Sequence, residues 1–258
     1  MSETVQAGEL LQPSYEVSLV LLSYVLAATG SFVALTAARR IRFGDRGISL
    51  FNLLAASTAL GGIGVWSMHF TGMLALKLGM ASGYSMVETV VSLVAAIGAT
   101  AAALAYVAKD PNSGRRILTA GALLGLGVAV MHYLGMYGMR FPGFIVWSWD
   151  LVALSVAIAM VAASAALWLA FRTRSVGLRV VAAAVMGVAV CSMHYTGMAA
   201  ADFVCTSAPT ERFATLQGFL VISAMKLPAL TAIFAVGMIL VIAYEQWLEK
   251  AFTGHRPT

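Results

Sequence analysis

Seven long apolar runs divide the chain, over about 17–38, 48–74, 86–108, 117–138, 151–171, 180–201 and 219–244, and charged residues collect in the short stretches between them. A helix needs about 20 residues to cross a hydrocarbon core about 30 Å thick, and each run is long enough. Inside lipid the backbone must satisfy its own N–H and C=O groups, so all seven runs are predicted to be α-helices. The pattern therefore predicts an all-α integral membrane protein with seven transmembrane helices. The expected organisation is a polar segment, 1–16, before the seven-helix domain, 17–244, and a tail, 245–258, after it, with no output domain expected.

Composition agrees. Of the 258 residues, 60% are hydrophobic and 10% charged, and the mean hydropathy is +0.88. A soluble domain carries about a quarter charged residues. The basic residues then set orientation. Arg39, Arg40, Arg42 and Arg46 follow the first run; Lys109, Arg115 and Arg116 follow the third; Arg172, Arg174 and Arg179 flank the gap after the fifth; the tail adds Lys250 and Arg256. Only Lys77, Arg140, Arg212 and Lys226 fall elsewhere. By the positive-inside rule the rich side is cytoplasmic, which places the N-terminus outside and 1–16 in the periplasm, with the C-terminus and tail in the cytoplasm. The pI near 9.4 belongs to these juxtamembrane loops, so the partner it implies is the lipid bilayer and not nucleic acid. The first 16 residues lack Lys and Arg, so the first run reads as a retained helix and not a cleaved signal. Cys191 lies within the sixth run and Cys205 in an outer loop, so no disulfide is expected.

The second, fourth and sixth runs share a nearly identical hexapeptide: Met68-His-Phe-Thr-Gly-Met73, Met131-His-Tyr-Leu-Gly-Met136 and Met193-His-Tyr-Thr-Gly-Met198. The histidines His69, His132 and His194 stand 63 and 62 residues apart, a period of two helices. The chain is thus three two-helix repeats plus a seventh helix. Glycines precede each hexapeptide, at Gly61, Gly62 and Gly64, at Gly121, Gly125 and Gly127, and at Gly187. Small residues let membrane helices approach closely.

An imidazole in lipid needs a partner, and three at one period suggest a shared one. His and the final Met of each hexapeptide are four residues apart and lie on one helix face. His69, His132 and His194 would then form one layer, with Met73, Met136 and Met198 in another about 6 Å beyond it. Imidazole suits copper, zinc, iron and nickel, and thioether selects Cu(I). Copper is the expected metal, with zinc the alternative. Met68, Met131 and Met193, about 100° round each helix, reach the centre only from the side. Cys191 shares a face with His194 and is a further ligand candidate. Tyr133, Tyr195 and Lys226 are placed around the ligands. Lys226 either sets the charge near the site or snorkels to the interface. Glu88 reads as interfacial, and Asn52 as hydrogen-bonding across helices. There is no His-Glu-x-x-His, no phosphate loop and no legible Ser-His-Asp set, so the chain is not expected to be an enzyme.

The triplicated hexapeptide resembles the MHYT domain, a seven-helix bacterial membrane sensor module named for Met-His-Tyr-Thr. The resemblance covers roughly residues 13–245. It implies the inner (cytoplasmic) membrane of a bacterium, copper bound through the motif side chains, a diatomic gas (oxygen, carbon monoxide or nitric oxide) or redox state as the signal, and a cytoplasmic signalling partner. The motif positions here are Met68, His69, Phe70 and Thr71; Met131, His132, Tyr133 and Leu134; and Met193, His194, Tyr195 and Thr196. Phe70 lacks the phenol, so no Tyr–metal bond exists in that copy, and Leu134 shows that the Thr hydroxyl is not needed in every copy. The expected function is a copper-binding sensory module. Copper transport or handling is the first alternative, and a metal-dependent membrane enzyme the second.

Overall fold

The computed structural model describes residues 8–41, 47–207, 213 and 220–223, and the separate positions 233, 236, 237, 240 and 243. Six of its helices are long and apolar enough to cross a membrane: α1 Val17–Ala38, α2 Leu50–Ala75, α3 Met86–Ala108, α4 Gly114–Tyr137, α5 Trp149–Arg172 and α6 Val176–Ala199. They coincide with the first six apolar runs, so the chain is a multi-pass helical membrane protein. Most of the seventh run, with Lys226, lies outside the described residues. Its early part is strand and not helix at Val221–Ser223, whereas Ile233, Val236, Gly237, Leu240 and Ala243 are helical.

The helices close into a ring. Each packs on its neighbours in sequence, α6 returns to α1, and α2, α4 and α6 also meet one another inside. The inward faces of the odd helices repeat: Ser23, Ser92 and Ser155 are buried, as are Ala27, Ala96 and Ala159 four residues on, and Leu35, Leu104 and Leu167 eight beyond those. That four-residue spacing keeps them on one face. The even helices begin alike. Ser49, Ser113 and Ser175 are N-caps whose hydroxyls accept from the N–H of Asn52, Arg116 and Leu178. Asn52 also donates its side-chain amide to Ser49 Oγ at 2.9 Å. Among the described residues this bond ties Asn52 to its own helix cap, where a bond across helices was expected.

From those caps His69 is 20 residues along, and His132 and His194 are each 19 along. The extra residue in α2 is taken up by a π-helical stretch over Thr58–Ser67. A π turn holds more residues than an α turn, so it absorbs an insertion without breaking the helix. Close glycine contacts flank that stretch. A Cβ at Gly30 would overlap the Gly64 backbone, and one at Gly61 would stand 2.6 Å from Ala96 O.

The ends of the ring differ. At the basic end the core is rich in alanine and leucine; toward the hexapeptides it turns to methionine and aromatic side chains. Over the hexapeptide end the connections carry short strands that the hydrophobic pattern does not reveal. β1 Glu9–Leu10 pairs antiparallel with β7 Ala201–Cys205, which pairs on its other edge with β6 Gly143–Trp147. β2 Ser14–Tyr15 pairs with β3 Leu76–Lys77, and β4 Gly83–Ser85 lies between β5 Met139–Arg140 and β8 Val221–Ser223. The segment before α1 is therefore part of a cap, at least from Glu9 to Tyr15. Cys205 is buried in β7, where an exposed loop thiol was expected; both cysteines are free.

Candidate metal centre

The three imidazoles meet. His69, His132 and His194 have no exposed surface, and their Nδ1 atoms form a triangle with sides of 3.1, 3.2 and 3.2 Å. Among the described residues they form a group able to hold a metal ion. A neutral imidazole has one N–H and one lone pair. With protons on Nε2, three lone pairs converge on one point. With one proton on an Nδ1, the other two lone pairs still face each other. Hydrogen bonding alone therefore leaves the triangle unsatisfied, whereas a cation at its centre satisfies all three nitrogens. Three nitrogens bound at about 2.0–2.1 Å in tetrahedral geometry stand about 3.3–3.4 Å apart, close to the observed sides. The residues present fit a metal ion.

The outward nitrogens carry the second half of the arrangement. Nε2 of each histidine is buried without a hydrogen-bond partner. Each lies against the hexapeptide glycine of another even helix: His69 against Gly135, His132 against Gly197 and His194 against Gly72. A Cβ at any of these glycines would overlap the ring. The hexapeptide glycine thus seats the imidazole of a neighbouring helix. The three copies interlock in a cycle.

A second cycle joins each even helix to an odd one. Tyr133 Oη and Ser155 Oγ are 2.6 Å apart, and Tyr195 Oη and Ser23 Oγ are 2.9 Å apart. Each serine donates to the carbonyl three residues back, Val152 or Val20, leaving its oxygen to accept from the phenol. In the first copy Phe70 has no hydroxyl, and Trp66 supplies the donor: its Nε1–H reaches Ser92 Oγ at 3.1 Å and Thr89 O at 3.0 Å. Ala129 and Cys191 hold the matching positions in α4 and α6. Phe70, Tyr133 and Tyr195 each meet the preceding histidine edge to face at 4.7–4.8 Å. The tyrosines therefore brace the helix beside each ligand and turn their hydroxyls to serine.

Met73, Met136 and Met198 are buried in one shared core cluster, one turn beyond the histidines. Met68, Met131 and Met193 are buried as well. Cys191 is half-buried and does not join the three histidines. At the cap, Arg140 donates to Glu88 Oε1 at 2.9 Å and Ser85 donates to Oε2, at the start of α3. Burial raises the Tyr15 phenol above its ordinary value, and Tyr195 adds to this; the buried Tyr84 phenol is pushed up further by desolvation, so both remain neutral.

Ser23, Ser92, Ser155, the donor role of Trp66 and the seating role of the glycines were not foreseen. One signal existed. Ser92 and Ser155 each follow the hexapeptide aromatic by 22 residues, at Phe70 and Tyr133.

A family model described as MHYT, bacterial signalling protein N-terminal repeat, matches residues 62–120, 125–183 and 187–252. The threefold period agrees with the sequence reading, but each matched unit starts within an even helix, where the reading had each pair start with an odd one. The chain is similar to MucR of Pseudomonas aeruginosa, a bifunctional diguanylate cyclase/cyclic di-GMP phosphodiesterase, with 41% identity over 199 residues covering 75% of this chain and 29% of MucR. It is 30% identical to the signalling protein YkoW of Bacillus subtilis over 213 residues, 80% of this chain and 26% of YkoW. It is 31% identical to the cyclic di-GMP phosphodiesterase NbdA of Pseudomonas aeruginosa over 258 residues, 97% of this chain and 32% of NbdA. The chain thus spans about a third or less of these relatives. No solved structure matches it.

Proposed function

The chain belongs to the MHYT family, the N-terminal repeat of bacterial signalling proteins, and we propose that it is an inner-membrane sensory module built around one copper ion held by His69, His132 and His194. The observation that carries this reading is the triangle of buried Nδ1 atoms, which no set of mutual hydrogen bonds satisfies. Zinc accepts three imidazoles equally well; the methionines of the hexapeptides favour Cu(I). Met73, Met136 and Met198 are the thioether donors in this reading, and Met68, Met131 and Met193, next to the histidines in sequence, are secondary candidates. Copper there would supply one-electron redox chemistry and an open position for a diatomic ligand such as oxygen, carbon monoxide or nitric oxide.

The protein's own part is to hold three neutral imidazoles together and to link them to helix positions. Each histidine comes from one even helix and rests on the glycine of another. A change in ring spacing must therefore move α2, α4 and α6 relative to one another. The phenol–serine and indole–serine contacts carry that movement to the odd helices. A signal requires two arrangements whose affinities for the ligand differ. We infer a cyclic-di-GMP synthesising or degrading domain as the cytoplasmic partner, because MucR and NbdA are named for those activities and extend well beyond the matched region. No catalytic step is assigned to the module itself.

Copper handling is a second reading, supported by one feature. An open cleft at the hexapeptide end is lined by Met80, Lys77 and Met73, and Met73 stands one turn from His69. Such a cleft suits delivery of a soft ion to the histidines.

Metal analysis of the purified protein with single His69→Ala, His132→Ala and His194→Ala variants tests the shared site. The expected result is stoichiometric copper in the parent and its loss in every variant, with thermal melts showing that each still folds. Stoichiometric metal retained by any one folded variant overturns the shared site. Met73→Leu, Met136→Leu and Met198→Leu should weaken Cu(I) binding and leave zinc binding unchanged.

A further inference from the structure

Immediately toward the basic end from the histidines the ring holds a small apolar cavity of about 40 Å³. Val65, Val128 and Val190 line it, and each lies four residues before a ligand histidine, at His69, His132 and His194. Four residues is one turn on the same face, so the three valines form a collar under the three imidazoles. The far wall is small: Ala159, Ala163 and Ala166 of α5. Thr100 is the one lining residue with a polar side chain, and its hydroxyl is spent on Ala96 O at 2.7 Å. Nothing in the wall fixes a charged or hydrogen-bonding ligand. Ala162 of α5 and Ala189 of α6 line the cavity and are half-buried, so among the described residues its mouth opens on the side of the bundle, between apolar helix faces.

We propose that this cavity is the chamber through which a small apolar molecule, of the size of a diatomic gas, enters from the bilayer and reaches the imidazole triangle. The inference rests on the metal-centre reading and adds the route by which its ligand arrives. Apolar gases concentrate in lipid, where the mouth lies. A dry apolar cavity accepts such molecules, xenon among them, because they lose no hydrogen bonds on entry. The collar passes only a small solute to the histidines, and it keeps water from the nitrogens on that side. The Met73, Met136 and Met198 layer lies on the other side, so ligand and metal approach from opposite ends.

The test uses xenon as the probe, since it binds without needing the metal. The full chain is placed in nanodiscs, and the 129Xe shift is titrated for the parent, Ala163→Leu, Ala162→Leu and the exposed-face control Ala157→Leu, with metal content measured on each sample. The expected result is a saturable shift in the parent and the control, and its loss in Ala163→Leu with metal retained. Ala162→Leu, at the half-buried mouth, gives the same answer if the deeper variant fails to fold. An unchanged shift in the filled variants overturns the chamber, as does a parent cavity already occupied by an acyl chain. A saturable shift in a parent that holds no metal supports the chamber and refutes the metal-centre reading, so the two failures are distinct.

Discussion

Gly72, Gly135 and Gly197 lack side chains at the points where an imidazole from another helix fills the space. Alanine at any one of them forces that ring off its seat, so stoichiometric metal should be lost and stability should fall by about 1–3 kcal/mol, as for other overpacked cores. Gly98→Ala is the control: its Cβ meets nothing within 4 Å, and metal content should not change. Metal analysis and thermal melts check both. The first hexapeptide offers a sharper test. Trp66→Ala removes the donor to Ser92 and leaves a void, at a cost of about 3–5 kcal/mol. Adding Phe70→Tyr recreates the arrangement of α4, where Ala129, Tyr133 and Ser155 stand together. The double variant should recover part of the lost stability, about 0.5–1.5 kcal/mol for the restored hydrogen bond. No recovery in the melt would show that the repeats are not interchangeable at this contact. The histidines were legible because they recur. The serines were less so, because a serine in an apolar run has many bland uses, and its partner lies on a different helix.

At the scale of elements, the π stretch of α2 decides the level of His69. Gly61 to Val65 spans four residues, whereas Gly125 to Val128 and Gly187 to Val190 each span three. Deleting Gly62 gives α2 the same count as its partners, and all three imidazoles should still meet. Deleting Leu126 from α4, which has no spare residue, turns His132 by about 100° and should abolish metal binding. Metal stoichiometry in the two deletions decides the point: equal loss in both would mean that the π stretch is not what absorbs the extra residue. The helices themselves were easily read, since apolar length alone specifies them. The cap strands were not. They are two to five residues long and pair segments as distant as Glu9 and Cys205, so no local period marks them.

At the scale of the whole molecule, charge sorts the two ends. Loops and the first turn of α4 at one end hold Arg39, Arg40, Arg115, Arg116 and Arg174, and the strand cap covers the other. The positive-inside rule then predicts the cap outside and the arginines in the cytoplasm. Single cysteines at Phe144, half exposed in β6, and at Asp110, exposed between α3 and α4, report this in a background with Cys191→Ala and Cys205→Ala. A membrane-impermeant thiol reagent should label Phe144→Cys in intact spheroplasts, and Asp110→Cys only after permeabilisation. The reverse pattern would invert the orientation and with it the route of the signal.

Apolar length, charge placement and the 62–63-residue period are properties of the chain as written, so they determined the membrane class, six helices and the three histidines before any coordinates. Which nitrogen faces inward, whose glycine seats which ring, and which serine answers each tyrosine depend on helices brought together from distant parts of the chain. Helical periodicity relates residues only within a helix. The interlocking of one helix with another follows from packing, and there the tertiary structure decided.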